Sequence, residues 1–525
     1  MYRKNKFKFA VCFFVLLFSY VFHINIHAQN NIESLYKVNK AFLKKEIQSP
    51  LYLYKIYMDR LLSLFNNNVD SVDYDDIYDF EKTCLNDDVI VSPLYISKYD
   101  PRSFGIITSI KNQFSYGICW CLAPMASLET FLIKNNMASN NIDLSEEHLL
   151  YWSKRKDDGY GWNKTNKDNG GQAITVTGYF SSWEGPKLEK DIPFSKNKYI
   201  NKPINYQTAK TFCNVTDIIY ISNDLPTIRN AIFKYGSVCS MYCHMPCYLS
   251  RDQHSYCYSK HRALNKSSCH EVCVIGWDDN YPHYKFNGEY HPKRNGAWLV
   301  KNSWGERFGE NGFMWISYED PNLFNFNGAN INYCISNATL PDRRKIMYQL
   351  NPYGAVSTTS LKDFNCYNDN KVMTVADVFE FKGYKRVLDS VMFMCDQIGQ
   401  KYKIYFAPLE DNKPIADLSK MTFIKEGIVE HSGYTTVKVK NIEVPRGKGA
   451  IVMTMDNSPN NSPAKIGSEE DICYKTSSGR IVKDFRALGR YNESFIIYDG
   501  KSYDAKVLNH NRPLNFTIKV IAKSK

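Results

Sequence analysis

The stretch NQFSYGICWCLAPMASLETFLI (residues 112–133) decides how this chain is interpreted, because it joins a reactive side chain to a helical pattern. From Cys119 onward the apolar residues recur with helical spacing, which predicts a helix beginning at this cysteine. A thiol at a helix N-terminus lies at the positive end of the helix dipole, which favours the thiolate. Pro124, inside the predicted helix, is expected to kink it or to displace its start. Cys119 is therefore a candidate nucleophile, although alone it is equally well explained as a small buried residue.

A thiol nucleophile also needs a base, a group that orients the base, and hydrogen-bond donors for the oxyanion. His270 precedes the strand-like segment VCVIGWDD, and Asn302 lies in KNSWG. An asparagine that accepts a hydrogen bond from the imidazole fixes its tautomer without taking its proton. Trp304 could shield that bond from water, and the Gln113 amide could donate to an oxyanion beside the Cys119 backbone N–H. These residues form a candidate catalytic set.

Three segments carry a resemblance to papain-like cysteine peptidases: QFSYGICW, SSCHEVCVIGWDDN and KNSWGERFGENGFMWISYED. Their order is that of the Cys, His and Asn segments of this family, and the resemblance spans about residues 100–335. It implies an α+β, two-lobed domain with a helical lobe and a β-barrel lobe. It also implies the roles of four residues, namely Cys119 as nucleophile, His270 as general base and acid, Asn302 as orienting residue and Gln113 as oxyanion donor.

The resemblance extends to the walls of the site. It implies that Gly170 and Gly171 line the groove where substrate backbone lies, although the pair is almost as well explained as an ordinary turn. It also implies that Trp120 and Trp304 support the active site. No cofactor and no metal is predicted.

Three positions near the catalytic set depart from the family pattern. Tyr116 replaces the family's usual disulfide-forming cysteine, so the loop before Cys119 must be held by packing or by other bridges. Cys121 replaces a usual alanine and is expected to be buried and inert. Glu271 also replaces a usual alanine. Because successive strand residues face opposite ways, Glu271 is expected to point away from His270, and we do not count it as catalytic.

Two further local patterns give predictions that the structure can test. DLSEEHLLYW (143–152) has Asp143 and Glu146 in capping-box spacing, which predicts the start of a helix with His148 on its surface. The segments GSVCSMYC, HEVCVIGW and GAWLVKNSWG are typical of strands, and the last is expected to run into a turn.

Composition sets the class of protein. The chain has 525 residues, 44% of them hydrophobic and 14% aromatic, which predicts a globular protein of two or three domains. The net charge of +12 is spread without a dense basic stripe, so nucleic-acid binding is not predicted. Six cysteines cluster within residues 239–273, where irregular spacing favours local disulfides or buried thiols over a metal site.

The N-terminus has the pattern of a secretory signal. Basic residues precede an apolar run at 9–24, and Ala28 offers a small residue at the cleavage point. The alternative is an uncleaved membrane anchor, for which sixteen apolar residues are short of the ~20 needed. We predict a signal peptide over residues 1–28, no membrane span after its removal, and a secreted, cell-surface or periplasmic protein.

The remaining chain divides by composition. Residues 29–97 have helical apolar spacing, which predicts a helical N-terminal or pro region before a peptidase domain over 98–340. A polar stretch at 335–346 is predicted to be a linker. Six or more short β-rich runs then predict an all-β sandwich domain over 341–525.

The C-terminal part, taken with the catalytic segments, resembles secreted bacterial papain-like peptidases that carry a lectin-like domain. This implies a carbohydrate or cell-surface ligand for residues 341–525, beside protein or peptide substrates for the peptidase domain. Two other functions stay open: a surface-binding or adhesive protein with a degenerate peptidase domain, and an amidase or transferase using the same thioester chemistry.

Overall fold

The computed structural model describes Pro93 and residues 96–154, 158–259, 269–325, 332–364, 372–383, 386–456, 462–475 and 481–525. The predicted signal peptide (1–28) and nearly all of the predicted helical segment (29–97) lie outside the described residues. Met1–Ser97 and Lys98–Lys525 are separate units, and the second carries the fold described below. None of the helices in the described part of the chain has the length and apolar character needed to cross a membrane.

Five α-helices occur among the described residues: α1 (Cys119–Lys134), α2 (Glu146–Ser153), α3 (Ala173–Ser182), α4 (Leu225–Tyr235) and the short α5 (Ala505–Leu508). The strands of the first half are β1 (Lys98–Tyr99), β2 (Gly161–Trp162), β3 (Asn214–Tyr220), β4 (Val238–Cys243), β5 (Ser255–Tyr256), β6 (Cys269–Asp278), β7 (Ala297–Lys301), β8 (Phe313–Ser317) and β9 (Tyr333–Thr339). β4, β6 and β7 confirm the three predicted strands.

The second half is built from short strands: β10 (Lys345–Gln349), β11 (Ser357–Thr359), β12 (Val372–Phe381), β13 (Arg386–Cys395), β14 (Lys401–Ala407), β15 (Leu409–Glu410), β16 (Lys413–Pro414), β17 (Thr422–Ile428), β18 (Gly433–Lys438), β19 (Glu443–Val444), β20 (Gly447–Asp456), β21 (Ile466–Glu470), β22 (Ile472–Lys475), β23 (Ile481–Arg486), β24 (Ser494–Tyr498), β25 (Lys501–Asp504), β26 (Leu514–Phe516) and β27 (Ile518–Ser524). The predicted linker at 335–346 is wrong in large part, because β9 occupies it as far as Thr339.

Helix α1 is buried along most of its length and is apolar on nearly every side. A helix with no polar face must be covered all round. It begins at Cys119 as predicted, and Pro124 sits inside it without ending it. The expected displacement of the helix start is therefore wrong, because the helix runs unbroken from Cys119 past the proline to Lys134.

Helix α2 begins at Glu146, close to the predicted start, but its cap differs from the prediction. The Ser145 hydroxyl, rather than Asp143, accepts the backbone N–H of His148. His148 is not a surface residue as predicted. It is buried, and its Nδ1 lies 2.7 Å from the Tyr179 hydroxyl of α3, because α2 is covered by α3 on that side.

One sheet of thirteen strands runs through both halves of the chain, in the order β10-β27-β13-β18-β3-β9-β4-β6-β7-β8-β5, with β1 on β6 and β19 on β13. A second sheet has the order β17-β14-β20-β12-β24-β25. Side chains of β13 and β27 from the first sheet and of β12, β14 and β20 from the second share one apolar core. This two-sheet packing confirms the predicted β-sandwich.

A second apolar core joins the two halves. It contains Trp162 and Tyr179 from the first half together with Tyr434 and Phe485 from the second. The rings of Trp162 and Phe485 lie 4.8 Å apart between centroids. The Tyr353 carbonyl presses so closely on α3 that a Cβ at Gly178 would lie 1.9 Å from its oxygen. The halves are therefore packed as one body rather than linked loosely.

We expect Tyr434→Ala to lower the free energy of unfolding by about 3–5 kcal/mol, because it empties a fully buried ring site in this joint core. It also removes the hydroxyl that accepts the Ala355 backbone N–H at 2.7 Å. Urea unfolding followed by tryptophan fluorescence and by far-ultraviolet circular dichroism should give one shared transition. Tyr284→Ala, at a ring that is 71% exposed, is the control and should change little. Loss of the second half alone, with the first half still folded, would contradict a joint core.

Candidate active site

Cys119 is the first residue of α1, so its thiol lies at the positive end of a 16-residue helix. Burial raises the pKa of this thiol to about 12. The backbone N–H groups of Glu271 and Trp120 donate hydrogen bonds that act against this rise, whereas the Glu271 carboxylate adds to it. The sulfur therefore lies beside the backbone of β6, at the residue that follows His270.

His270 and Asn302 come from neighbouring antiparallel strands, β6 and the end of β7. His270 Nε2 lies 2.8 Å from Asn302 Oδ1. That oxygen also accepts the Ser303 backbone N–H at 2.8 Å, which identifies it as the acceptor end of the amide. His270 Nε2 therefore carries the hydrogen, and Nδ1 of the neutral ring is left as a proton acceptor.

Burial lowers the pKa of His270 to about 4, while the hydrogen bond to Asn302 raises it and the nearby His244 lowers it further. The indole of Trp304 stacks on the imidazole, with centroids 4.6 Å apart and planes 26° apart. The indole also contacts the His244 ring, at 4.7 Å between centroids, and the Phe308 ring, at 4.6 Å. Trp304 thus covers one face of the His270 imidazole, and shielding of the bond to Asn302 stays a prediction.

Gln113 is fixed by contacts to the Asn302 segment. Its backbone N–H donates to the Ser303 carbonyl at 2.8 Å, and the Ser303 hydroxyl donates to Gln113 Oε1 at 2.7 Å. Gln113 Nε2 donates to the Tyr116 carbonyl at 2.9 Å, which leaves its second N–H available. Sequence reasoning missed Ser303, although it directly follows Asn302 in the KNSWG segment.

Of the two predicted groove glycines, Gly171 lies against helix α1. A Cβ at Gly171 would lie 2.0 Å from the Trp120 ring, so only glycine permits this approach. The Lys164 ammonium lies 4.9 Å above the same ring and donates to the Gly170 carbonyl. Gly171 therefore packs on Trp120, the residue that follows Cys119, while Gly170 is tied to this region through Lys164.

The departures from the family pattern are accommodated by packing. The Tyr116 hydroxyl donates to the Lys196 carbonyl, and its ring lies 6.3 Å from Phe194, which anchors the loop before Cys119. Cys121 is fully buried, and burial raises the pKa of its thiol well above the ordinary value. The predicted burial is confirmed, and the inertness of this thiol stays a prediction.

The cysteine cluster predicted to form disulfides or buried thiols contains free thiols at Cys239, Cys257, Cys269 and Cys273. Three of these are buried, and Cys269 is exposed. In the part of the chain that the structure describes, no group of three or more His, Cys, Asp or Glu side chains could hold a metal ion.

Phe114 is a residue of the site that sequence reasoning missed. It follows Gln113 with φ +54°, in the left-handed region that bulky side chains avoid, yet its ring is 51% exposed. It stacks on Phe194 at 6.5 Å, and the Lys196 ammonium lies 5.5 Å from its ring. The Asn112 side chain holds the turn by accepting the Phe114 backbone N–H at 2.7 Å.

We expect Phe114→Gly to be more stable than Phe114→Ala by about 1 kcal/mol, because both remove the ring and only alanine keeps the strained Cβ. Thermal unfolding of the two variants measures this difference. The same pair at Tyr284, whose φ is not positive, is the control and should show the usual order, with alanine more stable. The same order at both positions would contradict backbone strain at Phe114.

Comparisons with known proteins support the two-part organisation. Residues 96–335 match the model of the papain family cysteine protease, and residues 347–522 match that of a lectin like domain. Testin-2 of Mus musculus is 28% identical over 229 residues, and cathepsin J of Rattus norvegicus is 27% identical over 252 residues. These matches cover 43% and 46% of this chain but only 61% and 64% of the relatives, so the chain spans less than two thirds of their length.

Two solved structures match across both parts. The clostridial cysteine protease Cwp84 after propeptide cleavage is 38% identical, with a TM-score of 0.73, over 82% of this chain and 99% of that chain. A structure of the protease and lectin-like domains of Cwp84, described as a surface layer associated protein of Clostridium difficile, is also 38% identical. Its TM-score is 0.72, over 82% of this chain and 89% of that chain.

These matches confirm the predicted fold class, a papain-like fold followed by a β-rich lectin-like domain. They also confirm the resemblance from which the candidate residues were chosen. The chain belongs to the papain family of cysteine proteases and carries a lectin-like domain after its protease domain.

Proposed function

We propose that this chain is an exported cysteine peptidase that hydrolyses peptide bonds through a thioester on Cys119. The observation that carries the proposal is the contact between His270 and Asn302 under Trp304, beside a thiol at the start of α1. This arrangement supplies a nucleophile, a base with a fixed tautomer and a cover against water.

The first step is transfer of the Cys119 proton to His270 Nδ1. Burial opposes each charge alone, as the raised thiol pKa and the lowered imidazole pKa show. Transfer within the site forms both charges together, so their attraction offsets part of that cost. The helix N-terminus and the backbone N–H groups of Glu271 and Trp120 favour the thiolate further.

The thiolate then attacks the substrate carbonyl carbon, and the developing oxyanion accepts hydrogen bonds from the Cys119 backbone N–H and from Gln113 Nε2. Because Ser303 holds the Gln113 amide in place, the donor is oriented before substrate arrives. His270 donates its new proton to the leaving amine, and a thioester remains. Water, deprotonated by His270, cleaves the thioester and restores the thiol.

The walls around Cys119 suggest how a substrate is held. Gly170 and Gly171 present backbone without side chains, which suits an extended peptide lying along the two glycines, while Trp120 is buried against Gly171. His270 protonates the amine, so the leaving part of the substrate lies on its side of Cys119. The acyl part then lies on the side of the glycine pair.

Cys119→Ala should lower hydrolysis of fluorogenic peptides by at least about 10⁴-fold, because no other group can form the thioester. It should also abolish labelling of residue 119 by a thiol-directed epoxide under reducing conditions. Cys121→Ala is the matched control and should keep both activity and labelling, since Cys121 is buried in the core. Peptide hydrolysis that survives in Cys119→Ala would refute the assignment.

We also propose export and maturation. A signal peptide over 1–28 would direct export to the cell surface, the periplasm or the medium, and residues 29–97 would form a pro region ahead of a peptidase domain over 98–340. Support comes from the basic and apolar pattern at the N-terminus. The printed descriptions of Cwp84, as surface layer associated and as studied after propeptide cleavage, agree with it.

The lectin-like part, proposed as residues 341–525, would bind a carbohydrate of a cell surface and hold the peptidase near its substrates. Its family match is the support for this role. Because the two halves share a core, the whole chain is the right object for a binding test.

The inactive Cys119→Ala chain should sediment with insoluble cell-wall polysaccharide and be released by soluble oligosaccharide from the same polymer. The bound fraction is measured in pull-downs at several salt concentrations. Because the chain is basic, it could also bind the polymer through charge alone, and such binding weakens as salt increases, whereas sugar recognition should persist. Serum albumin is the control for nonspecific sedimentation. Sedimentation no greater than that of albumin, or no release by oligosaccharide, would contradict a carbohydrate ligand.

A further inference from the structure

A small cavity with both apolar and polar lining residues lies behind the candidate active site, between α1 and the strands β6 and β7. Its volume is about 10 Å³, close to the ~10–15 Å³ that one water molecule requires. Its lining residues are Lys111, Leu122, Ala123, Ala126, Glu129, Glu271, Lys301, Asn302 and Ser303.

Two polar atoms of this lining are buried and have no hydrogen-bond partner, Glu271 Oε2 and Asn302 Nδ2. The other ends of both side chains are engaged. Glu271 Oε1 accepts the Tyr333 hydroxyl at 2.8 Å, and Asn302 Oδ1 accepts from His270 Nε2 at 2.8 Å. A buried polar atom without a partner costs about 1–3 kcal/mol, and here the two unpartnered atoms belong to two residues that line the same cavity.

The other charged groups of the lining already have partners. Glu129 accepts the Thr108 hydroxyl at 2.6 Å and the Leu144 backbone N–H at 2.9 Å. Lys111 pairs with Asp143 and Glu146, at 2.6 and 2.7 Å.

Lys301 donates to the Thr108 hydroxyl at 2.7 Å. Glu271 is therefore the carboxyl of this lining that keeps an unused oxygen, and Asn302 is the neighbour with an unused donor.

We propose that one water molecule occupies this cavity and bridges Asn302 Nδ2 to Glu271 Oε2, which makes Glu271 a positioning residue for the catalytic set. The water accepts the Asn302 N–H. It donates to Glu271 Oε2 when that carboxyl is ionised, and it accepts the Glu271 O–H when the carboxyl is protonated. The bridge holds the end of the Asn302 amide that His270 does not hold, so the amide cannot rotate away from the imidazole. This inference rests on the proposed peptidase function, and it revises the expectation that Glu271 has no part in the site.

Glu271 also acts on Cys119 through its charge. Burial raises the pKa of Glu271 to about 8, and its ionised form raises the pKa of the Cys119 thiol. Removing the Glu271 charge should therefore lower the thiol pKa. The titratable groups around Glu271, from every element packed on it, are Cys119, Cys121, Glu129, Lys111, Lys301, Cys239, Cys269, Cys273 and Tyr333.

The test compares Glu271→Gln, which keeps the shape and two polar atoms, with Glu271→Leu, which removes the Glu271 partner of the bridge and leaves Asn302 Nδ2 in place. Replacement of a group that orients a catalytic ligand typically costs 10–100-fold, so we expect Glu271→Leu to lower kcat at least tenfold with little change in KM. Glu271→Gln should recover most of this loss. Glu469→Gln is the matched control, because Glu469 is a fully buried carboxyl whose pKa burial also raises to about 8, but it lies on β21.

A second measurement needs no turnover. The rate at which iodoacetamide alkylates Cys119, followed by mass spectrometry of its peptide across pH, gives the thiol pKa. We expect this pKa to fall in both Glu271 variants and to stay unchanged in Glu469→Gln. A wild-type kcat in Glu271→Leu together with an unshifted thiol pKa would overturn the proposal. Absence of peptide hydrolysis by the wild-type chain would instead defeat the proposed function, while the alkylation profile would still report on Glu271.

Discussion

Burial of helix α1 is the constraint on which the rest of this structure depends. Thirteen of its sixteen residues are buried, so neighbours must cover it on every side. Strands β4, β6 and β9 pack on one side, while α2 and α3 contact others. Because the helix is fixed in this way, its first residue is fixed too, and Cys119 meets the backbone of β6 beside His270.

The same need to bury apolar side chains explains why the lectin-like part and the protease region form one packed unit. Trp162 and Tyr179, which belong to the helical side of the protease region, pack with Tyr434 and Phe485 of the second half. Strand β18 pairs with β3, so one sheet crosses the boundary between the two family matches. A ligand held by the lectin-like part would therefore be held at a fixed position relative to the protease groove.

The polar groups near Cys119 form two layers. The outer layer, Gln113, Asn302 and Ser303, is tied together by hydrogen bonds of 2.7–2.8 Å and lies under Trp304. The inner layer is a set of buried charged side chains. Lys111 and Glu129 have ion-pair or hydrogen-bond partners, whereas only one of the two Glu271 carboxyl oxygens has a partner. A carboxyl in place of the family's usual alanine is costly in such surroundings, which is why its unused oxygen points to a function.

Sequence alone determined the family, the fold class and the start of α1. It also identified four candidate site residues, namely Cys119, His270, Asn302 and Gln113. These features were accessible because the spacing of apolar residues indicates helices and strands, and because short motifs indicate the chemistry of a thiol site. Sequence alone missed the Phe114 strain, the Ser303 contact and the burial of His148. It placed the cap of α2 at the wrong residue and predicted a linker where β9 lies. Those features were decided by the tertiary structure, since desolvation, strand register and hydrogen-bond partners depend on segments far apart in the chain. Glu271 illustrates both cases. That its side chain faces the opposite side of β6 from His270 was expected from the sequence. That one of its oxygens has no partner, in a cavity also lined by Asn302, depends on how α1, β6 and β7 pack.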